Sequence, residues 1–310
     1  MFLNPFVIGS FAFIFSTAFY FIVRKFNLVK FVQPQRDFIA VAQEKAKYKP
    51  VPCGGIVFFF LFALYSIVNN NIDYKFFTIA GFFAIGLLDD IIKITKKSHI
   101  TFLTGRKRIL LEIALCSFFA YNFLGGYSYL LMIKDFAIEI PFFVAFPIIA
   151  FIVIGTSNAV NLTDGQDALA GKTVLVNLFF LLAVFGFNGS ILVLIFAILA
   201  FLLFNSKPAT IYMGDSGSLF LGSFLAVFFI THKIEFLLPL TGIVFVLEAC
   251  SVILQVYYFK LTKGKRIFKM SPLHHHFELS GFGEEKTVTL AFVVTSVTSL
   301  IAYYIMVGVI

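Results

Sequence analysis

Roughly ten apolar runs, separated by short polar stretches, decide what this chain can become. They cover approximately residues 5–23, 54–68, 76–92, 109–123, 141–157, 173–187, 190–204, 219–230, 236–259 and 288–310. Each is long enough, or nearly so, to cross about 30 Å of hydrocarbon as a helix rising about 1.5 Å per residue. With 60% of residues hydrophobic and 13% charged, a soluble fold has nowhere to put that much apolar surface. The expectation is an all-α polytopic integral membrane protein of about ten transmembrane helices, a single domain over residues 1–310 with no separate soluble unit. The pair 173–204, turned at 186–189, is open to reading as two spans or as a re-entrant hairpin. The long run 236–259 is a candidate to tilt or break and so open a lateral apolar groove.

Charge sets the expected orientation. If the first run leaves its C-terminal end in the cytoplasm, five alternate loops, beginning at Arg24, Lys93, Asn158, Asn205 and Lys260, hold every Lys and Arg except Lys75, Lys134 and Lys233. That asymmetry is the positive-inside pattern and predicts both termini on the outer side. It also accounts for the net charge of +8 without invoking nucleic acid. Arg24 and Lys25 follow the first run with no small-residue cleavage site, as expected of a retained helix rather than a removed signal. Cys53, Cys116 and Cys250 are odd in number and lack metal-ligand spacing, so they read as small hydrophobes.

The polar residues that need explaining fall in those same five loops. Asn158, Asn161, Asp164 and Asp167 recur every three residues and would share one face if the segment were helical. Asp89 and Asp90 end an apolar run just before Lys93, where acids oppose the helix dipole. On a helix, adjacent side chains diverge by about 100°, so one acid can face a ligand while the other orients it or pairs with a lysine. Asp215 stands within MGDSGS at the head of another run, where small residues admit a phosphate or a metal, or where Asp215 or Ser216 is an N-cap. Asn205 and Lys207 share its loop. His274, His275 and His276 follow a basic stretch and cannot all converge on one metal, but two can donate to a pyrophosphate. Carboxylates, amides, imidazoles and lysines at one membrane edge suit a divalent cation with oxygen ligands and a phosphorylated substrate. Glu112 and Glu248, inside spans, are expected to pair internally.

Four stretches carry a resemblance: GLLDD (86–90), NAVNLTDGQDALAG (158–171), NSKPATIYMGDSGS (205–218) and YFKLTKGKRIFKMSPLHHHFEL (258–279). In order and spacing they resemble the polyprenyl-phosphate N-acetylhexosamine-1-phosphate transferases. The PLHHHFEL stretch is most similar to the phospho-N-acetylmuramoyl-pentapeptide transferase branch. The resemblance implies attack of undecaprenyl phosphate on the β-phosphate of UDP-MurNAc-pentapeptide, giving lipid I and UMP, with Mg²⁺ required, at the cytoplasmic face of the bacterial inner membrane. It implies Asp215 as metal ligand and Asp89 as candidate base beside Asp90. Asn161, Asp164, Asp167, Asn205, Tyr212 and Gln255 would line the nucleotide and sugar site. His274 and His275, with His276 beside them, would lie near the pyrophosphate; Lys47 falls where the family keeps a basic residue, and Lys93 is a further candidate substrate contact. Two departures stand out: residues 50–55 read PVPCGG where the family has TPTMGG, and Phe282 follows Gly281 where the family has Trp. A UDP-N-acetylglucosamine-using relative and an ion transporter are the alternatives, and homodimerisation is left open.

Overall fold

The computed structural model describes residues 5–26, 51–52, 54–96, 105–133 and 136–309. Twelve α-helices lie among them: α1 (Pro5–Phe26), α2 (Gly54–Val68), α3 (Tyr74–Lys96), α4 (Gly105–Leu124), α5 (Phe142–Thr163), α6 (Leu169–Phe185), α7 (Gly189–Asn205), α8 (Gly214–Thr231), α9 (Leu238–Thr241), α10 (Ile243–Leu261), α11 (Leu273–Leu279) and α12 (Glu284–Val309). Strand β1 (Val51–Pro52) runs parallel to β4 (Ile211–Tyr212), and β2 (Tyr129–Ile133) forms an antiparallel hairpin with β3 (Phe136–Ile140).

A helix occupies each of the ten apolar runs. Five of them, α1, α5, α8, α10 and α12, are long and apolar enough to cross a bilayer. The chain is a multi-pass membrane protein. Residues 173–204 form two separate helices, α6 and α7, turned at Gly186 with φ 70°. Asn188 caps α7 by accepting from the amides of Ser190 and Ile191. The run 236–259 is broken, as its length suggested: α9 carries a proline in its first turn and stops at Gly242, where α10 begins.

Helix α8 is the axle. Its side chains from Ser216 to Ile230 are buried all round, and α2, α3 and α5 pack along it. Small residues make this closeness workable. A Cβ on Gly222 would sit 2.6 Å from the Ser157 Cα, and one on Gly55 would fall on the backbone of Gly217. Around the axle, α1, α5 and α12 turn Phe11, Ile14, Phe143, Phe151, Val297 and Tyr304 outward. A helix apolar on its outer as well as its inner face is what lipid, and not water, selects. The axle's first turn is where the polar residues gather.

Candidate active site

The end of α3 meets the start of α8. Gly86 lets them touch, since a Cβ there would run into the Asp215 backbone; a Cβ on Gly214 would lie 2.6 Å from Asp90 Oδ2. Asp90, buried at this contact, accepts from the amides of Asp215 at 2.9 Å and Ser216 at 2.9 Å. The anion held by the free amides of this helix start is therefore a side chain of the protein itself. Asp90 fixes the backbone of Asp215; it does not point an open carboxylate at a ligand.

Asp89 is surrounded differently. It is only 1% exposed, and neither of its oxygens accepts a hydrogen bond from any described residue. Its partner is Arg108 of α4, whose Nη1 lies 3.7 Å from Asp89 Oδ2 and 3.9 Å from Asp215 Oδ2. The same Oδ2 of Asp215 is held by Lys93, at 2.6 Å, and its Oδ1 accepts from Asn161 Nδ2 at 3.3 Å. Asn161 also donates to Ser218 Oγ at 2.8 Å. Five residues expected from the sequence, Asp89, Asp90, Lys93, Asn161 and Asp215, thus meet in one place.

The Asn158–Asp167 ladder is helical only in its first half. Helix α5 ends at Thr163, and Asp164 is its C-cap, with its amide bonded back to Val160 and Asn161. Beyond it Gly165 and a left-handed Ala168 (φ 67°) turn the chain, so Asp167 leaves the face shared by Asn158 and Asn161, while Asp164, at the helix end, stays within electrostatic reach of Asp215 and Asp90. Half-buried Asp164 is pushed up to about 8, first by burial and then by the negative charges of Asp215 and Asp90. Asp167 Oδ2 accepts from the Ala209 amide, and Asn205 bridges the Ala168 amide to the Ile211 carbonyl. These two residues staple the turn to the loop 206–210. Tyr212 lies in β4, paired with Pro52.

The histidines form α11, where His274 and His275 are buried. Glu248 of α10 accepts from the His274 backbone amide at 3.2 Å and lies 3.1 Å from its Nδ1. The far nitrogen, Nε2, is directed at Gly165, where a Cβ would strike it. His275 contacts Glu278, and His276 Nδ1 accepts from the Lys269 amide. Gln255 Oε1 receives the amides of Ile267 and Phe268, fastening the basic loop. Lys47 lies outside the described residues.

Sequence reasoning missed Arg108, the hub of the cluster, although the spacing of Arg108 and Glu112 by four residues on a helix was a readable signal. Both expected internal pairs are present: Glu112 with Arg108, and Glu248 with His274. Among the described residues no group of three or more His, Cys, Asp or Glu forms a closed metal cage. The buried oxygens of Asp89 and the carboxylate of Asp215 fit a hard cation that takes one or two carboxylates and leaves other positions to water and phosphate.

With this geometry in view, residues 72–233 match the profile of glycosyl transferase family 4. The chain belongs to that family. It is similar to the phospho-N-acetylmuramoyl-pentapeptide-transferase of Clostridium perfringens (strain 13 / Type A), 41% identical over 273 residues, covering 81% of this chain and 82% of the relative. The enzyme of the same name from Listeria monocytogenes serotype 4b (strain CLIP80459) is 41% identical over 278 residues, 84% of this chain and 85% of its own. That of Listeria welshimeri is 42% identical over 280 residues, with the same shares. Like these family members, the chain is a transferase of peptidoglycan biosynthesis.

Proposed function

We propose that this chain transfers phospho-MurNAc-pentapeptide from UDP-MurNAc-pentapeptide to undecaprenyl phosphate, releasing UMP and leaving lipid I in the membrane. The reading is carried by the likeness, over more than four-fifths of the chain, to enzymes named for that donor group. The gathering of Asp89, Lys93, Asn161 and Asp215 at the end of an apolar bundle supports it, as does the His274 helix against Gly165, next to Asp164. Lys and Arg asymmetry supports placing this cluster on the cytoplasmic face of the inner membrane, with ten spans and both termini outside.

A lipid phosphate monoester has a second pKa near about 6 and is largely dianionic at neutral pH, so little proton abstraction is needed. One of its oxygens attacks the donor's β-phosphorus; the bond from that phosphorus to the bridging oxygen breaks, and UMP departs with that oxygen. Asp89 takes any remaining proton. Lys93 and Arg108 face the growing negative charge, and positioning supplies much of the remaining acceleration. A bound Mg²⁺, held at Asp215, would neutralise pyrophosphate oxygens.

The test is UMP release by the purified protein with undecaprenyl phosphate and each of two donors. UDP-MurNAc-pentapeptide is expected to react and UDP-N-acetylglucosamine is not, with EDTA stopping turnover and Mg²⁺ restoring it. Preference for the second donor, or full activity in EDTA, overturns the reading.

A further inference from the structure

Arg108 is not loose at the centre of the cluster; two residues, Glu112 and Asn158, tie it into a closed ring. Its Nε donates to Glu112 Oε1 at 3.0 Å, and its Nη2 donates to Asn158 Oδ1 at 3.1 Å. Asn158 Nδ2 closes the ring by donating to Glu112 Oε2 at 2.7 Å and also reaches the Ile154 carbonyl at 2.9 Å. Nη2 additionally points to Asn161 Oδ1 at 3.5 Å. Glu112 is fully buried, two turns into α4, and both of its oxygens are used by this ring.

A guanidinium is a rigid planar fork. Once Nε and Nη2 are fixed, the position of Nη1 is fixed too, and it stands between Asp89 and Asp215, at 3.7 and 3.9 Å. Both distances exceed that of a hydrogen bond, so Nη1 spans the gap between the two acids without closing on either. The ring therefore leaves one cationic N–H edge aimed at the place between the two acids where a phosphoryl group would be handled.

We propose that Glu112, through Asn158, is a positioning residue for the transfer reaction: it locks the Arg108 fork so that Nη1 meets the transferring phosphoryl oxygens between Asp89 and Asp215. This rests on the function proposed above. The buried charge of Glu112 is needed for geometry as well as for balance. A glutamine in its place keeps one acceptor for Nε but presents an NH₂ to the NH₂ of Asn158. Turning the Asn158 amide to relieve that contact sets its NH₂ against Nη2 instead. No arrangement of two amides satisfies the ring, because only a carboxylate accepts on both oxygens.

The experiment measures kcat and KM for both substrates, by UMP release, in wild type, Glu112→Gln, Asn158→Ala, Arg108→Lys and the Glu112→Gln/Arg108→Lys double variant, with thermal melts of each. Glu112→Gln and Asn158→Ala are each expected to lower kcat about tenfold while moving either KM less than twofold. In the Arg108→Lys background, which has no fork to hold, adding Glu112→Gln is expected to change kcat less than twofold. Wild-type kcat in Glu112→Gln, or an undiminished further loss in the double variant, overturns the positioning role alone. If Glu112→Gln fails to fold, the Asn158→Ala result decides, and unchanged kcat there overturns the role. Absence of UMP release by the wild type sinks the proposed function and this inference with it.

Discussion

Two neighbouring aspartates with opposite surroundings make a sharp contrast at the scale of the residue. Asp90 is bonded to two amides at the head of α8, whereas neither oxygen of its buried neighbour Asp89 accepts a hydrogen bond from a described residue. Replacing Asp90 by Ala strips a helix of its cap and leaves two amides unmet, a cost of about 1–3 kcal/mol. The melting temperature of Asp90→Ala in detergent is therefore expected to fall along with activity. Asp89→Asn removes a buried charge that has little solvation to lose; we expect Tm at or above that of wild type, with UMP release down at least about a hundredfold, in the range of lost electrostatic catalytic groups. A fall in Tm with activity intact would reverse these roles. Asp164 gives a pH dependence of known sign. Its folded carboxyl, up to about 8, binds a proton more tightly than the unfolded one near 3.8. Its contribution to stability is complete below about 4 and is lost as pH rises toward 8. Melts of the metal-free protein from pH 4 to 9 are expected to show that loss, and Asp164→Asn is expected to flatten it.

The helix crossings hold the site at the scale of the element. Gly86 and Gly55 allow α3 and α2 to lie against the first turn of α8, and the atoms a Cβ would meet there are backbone, which cannot swing aside. Gly86→Ala is expected to cost more than the usual 1–3 kcal/mol of overpacking and to abolish UMP release, because Asp215 must move. Gly155→Ala is the control: nothing lies within 4 Å of a Cβ there, and both Tm and activity are expected to hold. Much of this level was legible beforehand. Each apolar run contains helix, and the long run 236–259, a candidate to tilt or break, is divided at Gly242. Less visible was which polar residue does what. The family resemblance assigns Asp167, Asn205 and Gln255 to the nucleotide and sugar site, and the structure adds that each also accepts backbone amides. A polar side chain has the same letter whether it meets a substrate or a neighbouring N–H, and only the folded backbone around it brings those N–H groups into reach. Arg108 was overlooked because it sits among three consecutive basic residues, Arg106, Lys107 and Arg108, which read together as an orientation signal.

For the whole molecule, the proposed orientation rests on where the positive charges fall. Single cysteines placed at Asn69 and at Lys269, in a background without Cys53, Cys116 and Cys250, are expected to react with an impermeant thiol reagent from opposite sides of sealed vesicles. Labelling from the same side would overturn the proposed sidedness. The arrangement of helices has a further result for how the enzyme experiences its surroundings. Only the outer helices feel the acyl chains, while the post that carries Asp215 is screened from them on every flank. Stretching or thinning the bilayer will tilt the periphery before it disturbs the acids. Turnover in vesicles of graded chain length will then track how readily the long-tailed acceptor slides in, leaving consumption of the water-soluble donor governed by the same KM throughout.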